Sequence, residues 1–279
     1  MNERPDPLHL DRILAQTRAD VAQRRDRAPV RLLEKAAVSH TPRGFARALR
    51  EAIGSAPAII AELKKASPSK GLIRGSFEPA SLARDLENGG ASALSVLTDE
   101  PFFQGSLNNL DLASAVTRIP CLRKDFIVDE YQIVEARAHH ADAILLIAAA
   151  LTADELGRFT AAAHALQLDV LCEVHTAEEL ALVHDIGCDA WGINNRDLHT
   201  FDVCLETSLE LVDQLPVDSV RVAESGIHTA DDLRLLRAAG FHACLIGESL
   251  MRQLHPGAAL QSLLQSVHSP KPEVASELA

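Results

Sequence analysis

At 279 residues, with 47% hydrophobic and 24% charged side chains, the chain can bury a substantial core as one large domain or two small ones. A formal charge of −12 argues against nucleic acid as a main partner, because phosphate backbones are met by clustered Lys and Arg. Five scattered cysteines without CxxC or metal-ligand spacing read as reduced small hydrophobes, and scarce aromatics with abundant alanine suit an α/β protein better than a β-sandwich.

The N-terminal MNERPDPLHLDRIL is charged and has no apolar core, so no signal peptide is expected. The longest apolar run, AILLIAAAL from Ala143, is too short to cross a bilayer, and a cytoplasmic protein without membrane contact is expected. Leu10, Ile13, Leu14 and Val21 fall on one helical face of LDRILAQTRADVAQRR. Thr41 as N-cap with Pro42 in the first turn predicts a second helix, with Phe45, Leu49 and Ile53 on its apolar side. Residues 1–56 are therefore expected as a helical extension laid on the main body.

From Ala58 the pattern becomes regular. Short runs rich in Ile, Val and Leu occur at Ala58–Lys64, Ala93–Thr98, Cys121–Lys124, Ala143–Ala148, Asp169–Val174, Ala190–Asn194, Arg221–Ser225 and Ala243–Gly247. Helical stretches with start signals lie between them: Thr152 with Glu155 and Thr176 with Glu179 as capping boxes, Thr229 with Asp232 as a close relative of one, and Asp129 as an N-cap. Gly90, Gly187 and Gly240 supply the stops. NGGASALSVL, HHADAILLI, IGCDAWGIN and AGFHACLIG echo one another as helix end, small-residue turn and apolar strand. Eight such units predict an α/β fold, a (β/α)8 TIM barrel over residues 57–268. The competing doubly wound sheet lacks the GxGxxG phosphate fingerprint. The tail from 269 to 279 carries two prolines and no periodic face, so it is expected to fray.

In such a barrel the C-terminal strand ends form the functional face. Glu62 and Lys64 share a face of the first strand by alternation, and buried charges must be paired or used. Lys124 ends the third strand, Glu173 the fifth, Asn194 and Arg196 the sixth, Glu224 and Ser225 the seventh, and Gly247 the eighth. Ser225-Gly226 and Gly247-Glu248-Ser249 are small-residue turns ahead of helices, where backbone N–H groups attract phosphate, and Ser67 lies on the first loop. A phosphorylated small-molecule substrate is expected. The long first loop, Lys65 to Phe77, is expected to act as a lid. His139, His140 and His175 have no metal-ligand spacing and are read as structural.

IIAELKKASPSKG, LSVLTDEPFFQGS, LRKDFIVDEYQI, LCEVHTAEEL, GINNRDLHTF, VAESGI and LIGESLM, in that order, resemble the strand motifs of the indole-3-glycerol-phosphate synthase family, and DRILAQTRADVAQRR resembles its opening helix. The resemblance implies closure of 1-(2-carboxyphenylamino)-1-deoxyribulose 5-phosphate to indole-3-glycerol phosphate with loss of CO2 and water, without metal or cofactor. It implies Lys124 as general acid, Lys64 as the group that binds the anthranilate carboxylate and takes part in dehydration, and Glu173 as the partner for proton transfers. Glu62, Asn194 and Glu224 would orient the lysines and the substrate hydroxyls. Ser67, Gly226 and Gly247 would hold the phosphate with the backbone N–H of Glu248, whose carboxylate is expected to turn away. Arg196 would bind substrate or brace the site. Alternatives on the same barrel are a Schiff-base aldolase, a phosphoribosyl isomerase and an inactive binding barrel. A monomer or weak homo-oligomer is expected.

Overall fold

A computed structural model describes residues 9–197, 200 and 202–268; the tail expected to fray lies outside the described residues. Three helices, α1 (His9–Arg27), α2 (Val30–Ala37) and α3 (Phe45–Glu51), precede the first strand. Eight parallel strands then close into a barrel: β1 (Ala58–Leu63), β2 (Ala93–Leu97), β3 (Cys121–Lys124), β4 (Ala143–Ile147), β5 (Asp169–Val174), β6 (Ala190–Asn194), β7 (Val220–Glu224) and β8 (Ala243–Ile246). β1 closes the ring by pairing with β8, Ala58 opposite Ala243, and with β2, Ile60 opposite Ala93. The connecting helices are α4 (Pro79–Asn88), α5 (Glu100–Phe103), α6 (Leu107–Ser114), α7 (Glu130–Ala138), α8 (Ala153–Ala165), α9 (Ala177–Val183), α10 (Glu206–Leu211), α11 (Ala230–Ala238), α12 (Glu248–Met251) and α13 (Pro256–His268).

Strand alternation divides the core in two. Ile59, Ala61 and Leu63 of β1, Leu94 and Val96 of β2, and Trp191 and Ile193 of β6 face the helices. The opposite set, including Ala58, Ile60, Leu122, Leu145, Leu171, Val222 and Leu245, fills the barrel. Alanine supplies much of the lower interior, at Ala58, Ala93, Ala143, Ala190 and Ala243, and the space these small residues leave is occupied by Phe45 and Leu49 of α3. Continued two residues at a time toward the strand ends, the same inward parity gives Glu62, Lys64, Lys124, Glu173, Asn194, Glu224 and Gly247. The register that packs the core thus also aims the polar groups.

The entry to α3 corrects the sequence expectation. Thr41 and Pro42 do not start a helix; α3 begins at Phe45, behind Gly44. Residues 41–44 instead form a strap on Asp142: the Arg43 N–H donates to Asp142 Oδ1 at 2.7 Å, and its guanidinium Nε to Oδ2 at 3.0 Å. His40 Nε2 lies 2.9 Å from the same carboxylate, and Cys121 N–H donates to it at 2.6 Å. A buried carboxylate with this many partners outcompetes one local cap. The helix α2, which no start signal in the sequence announces, packs Leu33 with Val21 and Tyr131 beside α7. The boxes at Thr152–Glu155 and Thr229–Asp232 are complete. That at Thr176 is not: Glu179 N–H donates to Thr176 Oγ1 at 3.2 Å, but the Glu179 carboxylate accepts from His175 N–H at 2.7 Å.

Candidate active site

A cavity of about 450 Å³ opens at the C-terminal end of the barrel, and every site residue expected from the sequence lines it: Glu62, Lys64, Ser67, Lys124, Glu173, Asn194, Arg196, Glu224, Ser225, Gly226, Gly247 and Glu248. Glu62, Glu173 and Glu224 are each about 2% exposed, so all three depend on partners for their charge.

Lys124 is the hub of that arrangement. Its ammonium donates to Glu173 Oε2 at 2.8 Å and lies 3.6 Å from Glu224 Oε2. Burial alone would depress its pKa, but Glu173, Glu224 and Glu62 together raise it above the ordinary lysine value. Glu173 is desolvated too, yet the Lys124 charge and the neighbouring His175 hold it well below the usual carboxylate range. Glu224 behaves oppositely: burial, opposed by Lys124 and reinforced by Glu173 and Glu62, pushes its pKa up to about 8. Burial and their neighbours thus push the two carboxyl groups beside the Lys124 ammonium in opposite directions, the separation of neighbouring carboxyl groups on which acid–base sites rely.

The lattice around the hub is equally directed. Asn194 Nδ2 donates to Glu173 Oε1 at 3.1 Å, while its Oδ1 accepts from Ser225 Oγ at 2.8 Å and from Arg196 N–H at 3.0 Å. Across the cavity Lys64 Nζ is 2.5 Å from Glu62 Oε1, and Ser95 Oγ donates to Glu62 Oε2 at 3.4 Å. Two glycines make room for the carboxylates. A Cβ at Gly192 would stand 2.3 Å from Glu224 Oε1, and one at Gly247 would stand 2.5 Å from Glu62 Oε1.

On the loop side, Ser67 Oγ is buried without a hydrogen-bond partner, and Ser225, Gly226 and Gly247 line the same cavity. An orphaned hydroxyl beside small-residue turns suits an anion that brings its own acceptors. The Glu248 carboxylate is drawn aside, accepting from Arg252 Nη2 at 2.8 Å and Nε at 3.0 Å. Ser67 sits in a short ladder with Gly71, and Arg74 ties the end of that loop to the carbonyls of Met251 at 3.0 Å and Gln253 at 2.8 Å.

Several lining residues carry no signal in the sequence. Leu10 and Ile13 of α1, Phe103 of α5, Phe126 and Leu245 give the cavity an apolar wall. Asp99, the N-cap of α5, also lines it, with a pKa pushed by burial up to about 6. Arg123, next to the hub but facing outward, is buried in a network with Asp125 and Glu135 that reaches Arg24 of α1. His139 and His140 both pair with Asp111, outside the cavity. Spacing sets His175 aside as a ligand, yet it lies against Glu173. Among the described residues no helix is long and apolar enough to cross a membrane.

Fold and site together define a (β/α)8-barrel enzyme whose cavity gathers lysine–carboxylate pairs at the strand ends beside small-residue loops. The profile of the family described as indole-3-glycerol phosphate synthase matches residues 10–263. An indole-3-glycerol phosphate synthase of Koribacter versatilis is 56% identical over 255 residues, covering 91% of this chain and 98% of the relative. One from Burkholderia vietnamiensis is 49% identical over 253 residues, covering 90% and 97%. Solved barrels share the fold at low identity: thiamine phosphate pyrophosphorylase from Pyrococcus furiosus with a TM-score of 0.56 at 17% identity, covering 76% of this chain and 96% of that one, and 3-hexulose-6-phosphate synthase from Salmonella typhimurium with 0.56 at 10%, covering 76% and 100%. The chain belongs to the indole-3-glycerol phosphate synthase family, carboxy-lyases of tryptophan biosynthesis.

Proposed function

We propose that the chain closes 1-(2-carboxyphenylamino)-1-deoxyribulose 5-phosphate to indole-3-glycerol phosphate, releasing CO2 and water, with the cavity residues in the following roles. The phosphate rests on Ser67, Ser225, Gly226, Gly247 and the Glu248 backbone N–H; the anthranilate ring lies on the wall of Phe103, Phe126 and Leu245. Lys64, already carrying a carboxylate partner in Glu62, exchanges part of that pairing for the substrate carboxylate, and Arg196 braces the same side. As the aromatic carbon attacks the ribulose carbonyl, Lys124 gives its proton to the oxygen that becomes a hydroxyl. Loss of CO2 returns an electron pair to the ring system, and an acid, with Lys64 in this part, helps the hydroxyl leave as water. Glu173 takes the proton whose removal restores aromaticity, while Asn194 and Glu224 hold Glu173, Lys124 and the substrate hydroxyls in register.

The observation that carries this reading is the hub: Lys124 donating to Glu173 at 2.8 Å and standing 3.6 Å from Glu224. The carboxylates keep the donor form of the lysine populated across the working range. A Schiff-base lysine needs the opposite, a depressed pKa and a free amine. We place the enzyme in the cytoplasm, acting on a small phosphorylated substrate as a monomer or weak homo-oligomer. Purified protein and the carboxyphenylamino sugar phosphate should generate indole fluorescence without added metal or cofactor. Absence of product at micromolar enzyme refutes the assignment.

A further inference from the structure

His175 sits one residue beyond β5 and lines no part of the cavity, yet it is anchored beside Glu173. The anchor is the departure at α9 from an ordinary capping box. The Glu179 carboxylate turns back to accept from His175 N–H at 2.7 Å and lies 3.3 Å from the ring Nδ1. With Nδ1 so occupied, the ring turns Nε2 toward Glu173 Oε1 at 3.4 Å, a charge contact, and this buried nitrogen has no hydrogen-bond partner. The side chain is 9% exposed.

Carboxylates at both ring nitrogens decide the protonation state. A neutral imidazole donates from one nitrogen only and would face the other carboxylate with a lone pair. Only the imidazolium satisfies both. We propose that His175 is a positioning residue of this site: as an imidazolium clamped between Glu179 and Glu173, it fixes the direction and the negative charge of the Glu173 carboxylate. This rests on the reading of Glu173 as the proton acceptor.

The electrostatics agree. Burial opposes the ring's charge, yet Glu173 and Glu179 push its pKa up to about 10. The groups facing Glu173 are Lys124 from β3, Asn194 from β6 and Glu224 from β7, with Glu62 of β1 behind Lys124. Lys124 and His175 are the cations of that set. During turnover Lys124 gives up its proton, and its hold on Glu173 weakens when the carboxylate is needed. His175, away from the substrate, keeps its charge throughout and prevents Glu173 from capturing the lysine proton.

The test is the pH dependence of kcat and KM for His175→Gln, which keeps an amide donor without the charge, and for Glu179→Gln, which keeps an acceptor for the ring but removes the negative charge that holds it protonated. An opposite charge at this distance moves a carboxyl pKa by about one unit or more. The acid limb of kcat should therefore move to higher pH by about one unit in His175→Gln, with kcat lowered about tenfold on that limb, while near neutrality, where Glu173 stays ionised, kcat and KM each change less than about twofold. Glu179→Gln should give a smaller shift in the same direction. A limb that stays in place while the variant remains folded overturns the proposal, as does a drop in kcat that merely tracks a lower Tm. Glu173→Gln separates the two layers: if it keeps wild-type kcat, the reading of Glu173 fails and this proposal with it. If it is inactive while His175→Gln keeps the wild-type profile, only the role of His175 falls. Histidine ring NMR of the wild-type protein, assigned against His175→Gln, tests the charge without relying on the variant's activity. The His175 ring should stay protonated from about pH 6 to 8, and a neutral ring there overturns the proposal.

Discussion

Gly192→Ala should leave the fold intact and damage catalysis, and the structure gives the size of the effect. Gly192 lies in β6 with its backbone outside the left-handed region, so alanine is allowed there, and reduced freedom of the unfolded chain favours it by about 0.5 kcal/mol. The added Cβ, however, would meet Glu224 Oε1 at 2.3 Å, with the Glu224 Cδ at 3.3 Å and Leu171 Cδ1 at 3.4 Å. Comfortable carbon–oxygen packing needs roughly 3.4 Å, so the carboxyl must retreat by about 1 Å. Its room for retreat is limited by Lys124 at 3.6 Å. A displacement of ~1 Å in a catalytic arrangement costs about 100-fold, or about 2.7 kcal/mol of transition-state stabilisation. Steady-state fluorescence of indole formation gives kcat/KM, and a thermal melt reports the fold. If Tm is unchanged and kcat/KM stays within about twofold of wild type, the position of Glu224 is not part of the machinery and the hub has been misread.

Lys124→Ala should abolish turnover while changing product affinity far less, measured by isothermal titration with indole-3-glycerol phosphate; a normal kcat would show that the acid is another group. Because the folded-state pKa of Glu224 is raised from 4.5 to about 8, the native state binds more protons than the unfolded one between those values, so this group's contribution to stability falls as pH rises through that window. Glu224→Gln should flatten that decline in denaturant melts at a series of pH values, and an unchanged slope would contradict it. Asp142→Ala leaves Arg43 without its buried partner and should cost about 3 kcal/mol, read from the denaturation midpoint.

How much of the fold and site is legible in the sequence depends on how far each partner lies along the chain. Strand parity is local, so alternation alone puts Glu62 and Lys64 on one inner face, and Lys124, Glu173, Asn194 and Glu224 follow once the strand ends are located. The eight apolar runs predict the strands to within a residue or two. The strap at residues 41–44 is not legible, because Thr41-Pro42 carries a genuine helix-start signal and the force that overrides it is Asp142, 99 residues from Arg43. Arg123 shows a different limit: in LRKDF alternation puts it on the face opposite Lys124, and only the barrel reveals which of the two enters the cavity and which the Glu135 network. His175 lacks metal-ligand spacing and reads as structural, although Glu173 and Glu179 stand only two and four residues away. The missing information is the direction of the Glu179 carboxylate, which the sequence pattern assigns to its own N-cap.

Glu248 poses the clearest electrostatic question, since a carboxylate beside the proposed phosphate site should repel the substrate. The geometry answers it through Arg252. With Glu248 Oε1 bound at 2.8 and 3.0 Å, the charge is paired along α12, and the Arg252 charge lowers the carboxyl pKa against the opposing effect of burial. Arg252→Ala should therefore weaken substrate binding even though Arg252 itself does not line the cavity. A freed carboxylate several ångströms from the phosphate in a mostly aqueous setting costs about 0.7 kcal/mol for each unit of phosphate charge, so KM should rise about threefold to tenfold with kcat little changed. Added salt should shrink the difference, because it screens an exposed pair. Removing the carboxylate as well, in Arg252→Ala with Glu248→Gln, should return KM to the wild-type value. If the double variant stays as impaired as the single one, Arg252 acts on the backbone of α12, and the pairing of Glu248 is not what protects the phosphate site.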